Sequence, residues 1–185
     1  MEVEYRLATA DDIEEVLTLH YRYQVDSIRE EDKKDGFITT AFTKEQLSTL
    51  ISREQGLFIA CKDGKIVAYA MAASWAFWCQ WPMFVFMVKG LPDLNYRGIA
   101  LSTENSYQYG PVCVDKSVRG SGVFEGVFAF ALEQMAKRYP VLITFINKIN
   151  PRSYAAHTQK VGLDVIDEFE FNGNQYFELA CLTER

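Results

Sequence analysis

One stretch of the sequence, between residues 107 and 138, limits the fold more than any other. Residues 107–114 have the composition of a strand, and a short charged turn separates them from Gly120 and Gly122. A segment with an apolar helical face, residues 123–138, begins directly after the second glycine. Glycine has no Cβ, so the first N–H groups of that helix would be open to a ligand, and the helix dipole favours an anion there. The stretch therefore predicts a strand–loop–helix unit that binds a phosphate group.

Two common phosphate-binding loops do not fit this stretch. A nucleoside triphosphatase loop ends in Gly-Lys followed by Ser or Thr, whereas Gly122 is followed by Val123 and Phe124. A dinucleotide-binding fold has an acidic residue at the end of the next strand, but residues 145–147 read Phe-Ile-Asn. We therefore expect neither nucleoside triphosphate hydrolysis nor NAD binding.

Capping and turn residues place further elements on both sides of this unit. Strand-like segments alternate along the chain with segments that carry one apolar helical face. The local signals are the capping pairs Thr9/Asp12 and Thr43/Gln46, the hairpin turn Asp63-Gly64, the helix start at Asn150 and the turn at residues 172–174. Their order predicts an α+β fold around one mixed sheet.

Composition limits the class of protein. A chain of 185 residues with 49% hydrophobic residues is expected to form one domain over residues 1–185. Its net charge of -6 argues against nucleic acid as a partner. None of the four cysteines has the spacing of a zinc site, so no metal is expected. The first residues lack a secretory signal, which favours the cytoplasm, and the mixed charges of residues 29–35 predict a solvated loop or helix end.

An aromatic-rich insertion is predicted at about residues 75–105. Residues 66–88 carry no charge and are numerous enough to span a bilayer, but Pro82 interrupts them. Trp75, Trp78 and Trp81 lie near the middle of that segment and not at its ends, so we expect no membrane span. The insertion either covers an edge of the sheet or lines the site of a second substrate, and it could also pack a homodimer.

Two segments resemble the GCN5-related N-acetyltransferase (GNAT) superfamily. Residues 112–123 are similar to its acetyl-CoA signature, in which an apolar strand and a turn precede Gln/Arg-x-x-Gly-x-Gly/Ala. Gly120 and Gly122 match the glycines, whereas Ser117 stands where Gln or Arg is usual. Residues 150–163 are similar to the second CoA-contacting segment of the family and are one residue longer than its common form.

The resemblance implies a GNAT-like fold, an α/β/α sandwich with helices on both faces of a twisted, mostly antiparallel sheet. It also implies acetyl-CoA as co-substrate, with the pantetheine chain on the strand backbone and the pyrophosphate on the loop. The strand would splay from its neighbour near Gly110-Pro111. The implied cofactor-binding residues are Val112, Cys113, Val114, Arg119, Gly120, Ser121, Gly122, Val123, Phe124, Asn150 and Ser153.

The catalytic residues are less well defined by the resemblance. The family often uses a tyrosine in the second segment to protonate the leaving thiolate, and here that position is His157 or Thr158. We expect His157 as the donor, with Tyr154 as its neighbour, or else a histidine that only packs on the sheet. A carboxylate would accept the proton of the amine, and Glu104 and Asp115 are the candidates.

These expectations lead to one function and one alternative. The chain is expected to transfer an acetyl group from acetyl-CoA directly to a primary amine of an unidentified acceptor. The acidic composition favours a cationic acceptor, and the aromatic insertion favours an apolar one. The alternative is a non-catalytic module that senses CoA or binds a protein, which the missing tyrosine and Ser117 would explain.

Overall fold

The computed structural model describes residues 2–24 and 40–185. In that part of the chain the strands, β1 to β9, are Glu4–Leu7, Leu57–Lys62, Lys65–Ala73, Asn95–Tyr96, Ile99–Ala100, Ser106–Val114, Val141–Asn147, Asp164–Phe171 and Asn174–Leu182. The helices, α1 to α6, are Ile13–Tyr23, Lys44–Thr49, Trp75–Trp78, Pro82–Gly90, Val123–Ala136 and Pro151–Ala155. Two π-helical turns, Leu50–Glu54 and Ala156–Lys160, continue α2 and α6. The charged residues 29–35 lie outside the described part.

Seven strands form one mixed sheet in the order β1-β2-β3-β6-β7-β9-β8. Strands β6 and β7 are parallel, and the pairs β1–β2, β2–β3, β7–β9 and β9–β8 are antiparallel. The predicted α+β fold around one mixed, mostly antiparallel sheet is confirmed. The insertion adds a separate two-stranded sheet, β4–β5.

The chain divides into two compact units. Unit 1 comprises the described residues of 1–71 and 110–131, and unit 2 comprises residues 72–109 and 132–185. The expectation of one domain over residues 1–185 stays a prediction.

Unit 1 contains the predicted hairpin and helices on both faces of its strands. Asp63 and Gly64 both have positive φ, at 54° and 74°, as the tight turn between β2 and β3 requires. On one face, His20 of α1 bonds to Tyr69 of β3. On the other face, Phe130 of α5 packs against Phe58 of β2. Because Phe58 is paired with the neighbour of Tyr69 in β3, these two contacts lie on opposite faces of the sheet.

Unit 2 contains the aromatic insertion. Trp75 and Trp78 are fully buried in α3, and their indole N–H groups donate to the Ser106 hydroxyl at 3.0 Å and the Gln108 carbonyl at 3.1 Å. Pro82 is the first residue of α4, so it separates the two helices. The uncharged segment therefore divides among β3, α3 and α4. No helix in the described residues is long and apolar enough to cross a membrane.

Candidate acyl-CoA site

The glycine loop, residues 119–124, joins β6 and a short 3-10 turn to α5. Gly120 has φ of 78° and Gly122 has φ of 90°, values that favour glycine. A Cβ built on either residue would have no described atom within 4 Å beyond its chain neighbours, so the space beside both is open. The Gly122 carbonyl accepts the first helical hydrogen bond, from Gly126 at 3.0 Å. The predicted position of both glycines at a helix start is confirmed, and the first N–H groups of α5 have no acceptor within the helix.

Asp115 fixes the turn that precedes the glycine loop. Its carboxylate accepts hydrogen bonds from Arg22 at 2.6 Å, from Tyr23 at 2.9 Å and from the N–H and hydroxyl of Ser117. Burial would raise the pKa of Asp115, but these bonds outweigh it and lower the pKa to about 2. A carboxylate with so low a pKa and so many donors is a poor proton acceptor, so the geometry does not favour Asp115 as a general base.

The end of β6 presents backbone groups and no reactive side chain. Arg119 turns back so that its Nε donates to the Val114 carbonyl at 3.0 Å, and its guanidinium lies 5.0 Å from the ring centre of Tyr23. Burial raises the pKa of Cys113 to about 12, so its thiol stays protonated at neutral pH. This agrees with the expectation that Cys113 is not a nucleophile, and its contribution to cofactor binding through the backbone stays a prediction.

The second predicted segment lies in unit 2 and begins as expected. The Asn150 side chain accepts the Ser153 N–H at 3.4 Å, and Pro151 is the first helical residue. After five residues the α-helix widens into the π-helical turn Ala156–Lys160. A π-turn holds one residue more than an α-turn, which accounts for the extra residue of this segment relative to the family pattern.

His157 lies in that π-turn and is 4% exposed. Its Nδ1 lies 2.8 Å from the Ser153 carbonyl, which can only accept, so Nδ1 carries the proton. Its Nε2 lies 3.1 Å from the Tyr109 hydroxyl and therefore accepts from it. Burial lowers the pKa of His157 to about 4, although the bond to Ser153 acts the other way. The thiolate-donor role stays a prediction, and these contacts favour the packing role.

The other two catalytic candidates do not join this group of contacts. The Tyr154 ring packs on Phe177 with 4.7 Å between ring centres. Glu104 is exposed in the turn before β6, where its N–H donates to the Ser102 hydroxyl at 3.2 Å. The glycine loop follows the other end of β6, which is nine residues long. The structure therefore brings Ser153 and His157 together, and Glu104 stays a prediction without a supporting contact.

Sequence analysis missed two buried polar residues of unit 2. Glu178 in β9 is 4% exposed and Gln108 in β6 is 1% exposed. Within the described residues, Glu178 Oε2 and Gln108 Oε1 have no hydrogen-bond partner. Each residue has a sequence feature that could have indicated it. Glu178 is a charged residue inside the otherwise apolar run of residues 176–182, and Gln108 is an amide between two tyrosines.

Comparison with known proteins gives a fold and no sequence family. No protein-family model matches the sequence, and no curated protein matches it. Solved structures match over nearly the whole chain, and three of them illustrate the result.

The structure of yncA from Salmonella typhimurium with its cofactor acetyl-CoA has a TM-score of 0.66 and 10% identity, and the match covers 100% of this chain and 96% of that one. The PaiA N-acetyltransferase from Thermoplasma acidophilum in complex with coenzyme A has a TM-score of 0.65 and 14% identity, covering 96% and 98%. A GNAT-family acetyltransferase from Streptococcus pneumoniae has a TM-score of 0.65 and 12% identity, covering 98% and 99%. The chain therefore has the GNAT fold that the sequence resemblance implied.

Proposed function

We propose that the chain is an acetyl-CoA-dependent N-acetyltransferase that acetylates a primary amine. The observation that carries the proposal is the open glycine loop at the start of α5, a helix of 14 residues. A phosphate can approach the backbone there because no Cβ intervenes, and the helix dipole adds partial positive charge. The fold supports the same conclusion, because two of the compared structures contain acetyl-CoA or coenzyme A.

The residues of unit 1 fit coenzyme A in two places. Backbone N–H groups of residues 119–124 would bind the pyrophosphate. Backbone groups of residues 112–114 would bind the pantetheine chain, because the side chain of Cys113 is buried and that of Arg119 is turned back to Val114. Ser117, which replaces the usual Gln or Arg, bonds to Asp115 and stabilises the turn. Its side chain is therefore not proposed as a pyrophosphate ligand, and the pyrophosphate would be bound by backbone N–H groups.

Acetyl-CoA supplies a thioester that a neutral amine attacks without a covalent enzyme intermediate. The protein must therefore hold the amine in line and remove its proton, because fewer than about one alkylammonium in a thousand is neutral at pH 7. Asp115 does not suit that proton transfer. The residues of unit 2 proposed for proton handling are Glu104, Tyr154 and His157, with Asn150 and Ser153 as proposed cofactor contacts.

The alternative is a CoA-sensing module without catalysis. One observation favours it: the predicted thiolate donor, His157, is buried and neutral, and both of its ring nitrogens are already bonded. A release assay for free thiol with acetyl-CoA and a panel of primary amines separates the two functions. Turnover with any amine contradicts the sensing module, whereas tight CoA binding without turnover across the panel supports it.

The cofactor site is tested by calorimetric titration of acetyl-CoA into Gly120→Asp. Aspartate tolerates positive φ better than most residues, and its carboxylate would repel the pyrophosphate. We expect at least about a tenfold loss of affinity, equal to about 1.4 kcal/mol.

Gly64→Asp is the matched control for this titration. Gly64 has φ of 74°, close to the 78° of Gly120, and the same open surroundings, but it lies in the β2–β3 turn. It should bind acetyl-CoA like the parent. Equal affinity of Gly120→Asp and Gly64→Asp would contradict the assignment of the loop.

A further inference from the structure

The row of side chains that contains Glu178 lies on one face of the sheet in unit 2. Strand pairing places Glu178 directly between Phe145 of β7 and Asp167 of β8. The next row on the same face contains Tyr176 and Phe169, which stack with 5.2 Å between ring centres. Side chains two residues apart in a strand share a face, so the row on one side of Glu178 is aromatic and the row on the other side contains Ile143, Ala180 and the carboxylate of Asp164.

The aromatic insertion covers this face. Phe84 of α4 packs on Phe145 with 5.6 Å between ring centres, and Trp78 of α3 packs on Phe84 at 5.1 Å. At the other end, Phe86 of α4 contacts Phe169 at 5.7 Å and is 42% exposed. The rings therefore form a continuous set from the buried carboxylate to the surface.

Among the residues that the structure describes, Glu178 is a buried acid without a counter-charge. In the described residues its Oε2 has no hydrogen-bond partner, and burial of an unpaired carboxylate is costly. The basic groups of this part of unit 2 bind other acids. Arg97 lies 3.4 Å from Asp164. Lys148 pairs with Glu168 and lies over Phe177, on the opposite face of the sheet from Glu178. A donor that is not part of these ion pairs would satisfy Glu178.

Gln108 marks a second unsatisfied acceptor on the same face. It pairs with Ile143, two residues before Phe145 in β7. Its Nε2 donates to the Tyr109 carbonyl at 2.6 Å, which fixes the amide orientation and leaves Oε1 as the unpaired atom. Gln108 and Glu178 are two strands apart, about 10 Å or more, so one small group cannot satisfy both.

We propose that Glu178 binds the ammonium group of a primary amine with an aromatic or apolar body, and that the rings around it bind that body. A carboxylate supplies the counter-charge, and the faces of the rings attract a cation and reject an anion. This inference rests on the proposed function in one respect: the bound amine would be the acetyl acceptor.

Glu178 would also take the proton that the amine must lose. One N–H bond of the ammonium breaks, an O–H bond forms at Oε2, and the nitrogen keeps the electron pair as a neutral amine. Burial and the nearby charge of Asp167 raise the pKa of Glu178 to about 7, so it is a stronger base than an exposed glutamate while much of it is ionised at pH 7 to 8.

The test is a titration of 2-phenylethylamine hydrochloride and of neutral 2-phenylethanol, each at pH 8, followed by calorimetry and by tryptophan fluorescence. All three tryptophans of the chain lie in the insertion, at residues 75, 78 and 81. We expect the parent protein to bind the amine at least about tenfold more tightly than the alcohol. Glu178→Gln should lose that preference and keep the binding of the alcohol.

Glu170→Gln is the control variant, because Glu170 is exposed on β8 and its side chain points to the opposite face from Asp167. It should behave like the parent. Three results would each overturn the inference. The parent could bind the amine and the alcohol equally, or it could fail to bind the amine. Alternatively, Glu178→Gln could keep the preference of the parent for the amine.

Acetyl-CoA titrations and turnover assays of the same proteins separate this inference from the proposed function. Acetyl-CoA turnover that Glu178→Gln does not alter would leave the acetyltransferase function standing and overturn the amine site. Binding of the amine through Glu178 in a protein that does not bind acetyl-CoA would contradict the acetyltransferase function and support the amine site.

Discussion

Glu178 places an ionisable group where the folded chain holds a proton that the unfolded chain releases. Burial and Asp167 raise its pKa from 4.5 to about 7. Between these values the folded state binds more protons than the unfolded state, so its contribution to the free energy of unfolding falls as pH rises. A shift of this size corresponds to about 3 kcal/mol.

Glu178→Gln keeps the side-chain shape and removes this titration. We expect the variant to be more stable than the parent at pH 8, by up to about 3 kcal/mol, and equal to it near pH 4. Urea unfolding of both proteins at the two pH values measures the difference. The same difference at pH 4 and pH 8 would show that Glu178 does not titrate in this range.

Single residues also show what sequence reasoning could and could not reach. Gly120, Gly122 and Asn150 were predicted correctly as backbone features, because local chain geometry decides which residue can take positive φ or cap a helix. The state of Asp115 could not be predicted, because two of its donors lie 92 and 93 residues away in the sequence. Glu178 was missed for the same reason, since its neighbours come from β7 and β8.

At the scale of elements, α5 contains a glycine that a helix would normally avoid. A Cβ at Gly126 would overlap the Tyr5 ring of β1, with Cε1 only 2.8 Å away. Alanine favours a helix over glycine by about 0.5–1 kcal/mol, but overpacking costs about 1–3 kcal/mol. We therefore expect Gly126→Ala to be less stable than the parent in thermal unfolding.

Two further variants make this prediction specific. Gly90→Ala, in α4, has open space around its Cβ and should be neutral or stabilising. Tyr5→Leu should recover part of the loss when combined with Gly126→Ala. A stabilising Gly126→Ala, or equal effects of the two glycine changes, would mean that Tyr5 moves aside without cost.

The insertion was the least predictable set of elements. Trp75, Trp78 and Trp81 are spaced as if on one helical face, but α3 ends at Trp78 and Pro82 begins a new helix. The hydrogen-bond acceptors of Trp75 and Trp78, which are Ser106 and Gln108 in β6, are about 30 residues further along the chain. The hairpin at Asp63 and Gly64 was predictable because its turn depends only on residues that are adjacent in sequence.

At the scale of the whole molecule, each unit buries one of the two histidines. His20 in unit 1 bonds to Tyr69 and to the Thr40 carbonyl, and burial lowers its pKa to about 4, as it does for His157 in unit 2. The unfolded chain takes up protons near pH 6.5 and the folded chain does not. The free energy of unfolding therefore falls as pH decreases from 6.5 towards 4.

The double variant His20→Gln with His157→Gln should lose this dependence. Each histidine contributes about 2–3 kcal/mol between pH 7 and pH 4.5, so the stability of the variant should fall less than that of the parent. Glu178 acts in the opposite sense over this range and is present in both proteins, so the comparison cancels it. Parallel urea-unfolding profiles of variant and parent would contradict neutral buried histidines.

The whole fold was predictable to the level of a mixed sheet and the GNAT resemblance, although the matched structures share only 10–14% of residues with this chain. Apolar periodicity and turn residues are enough to predict most elements outside the insertion. They do not determine which side chains contact each other across the sheet, and the proposed amine site depends on those contacts.

The position of β8 at the end of the sheet has a consequence for how the protein behaves in concentrated solution. An outermost strand has backbone groups with which another copy can pair. None of the eight residues of β8 is buried, and four of them are acidic: Asp164, Asp167, Glu168 and Glu170. Asp164 and Glu168 lie in ion pairs with Arg97 and Lys148. The negative charges of Asp167 and Glu170 would therefore be the main source of repulsion against the same strand of a second molecule, and this repulsion opposes self-association at the edge.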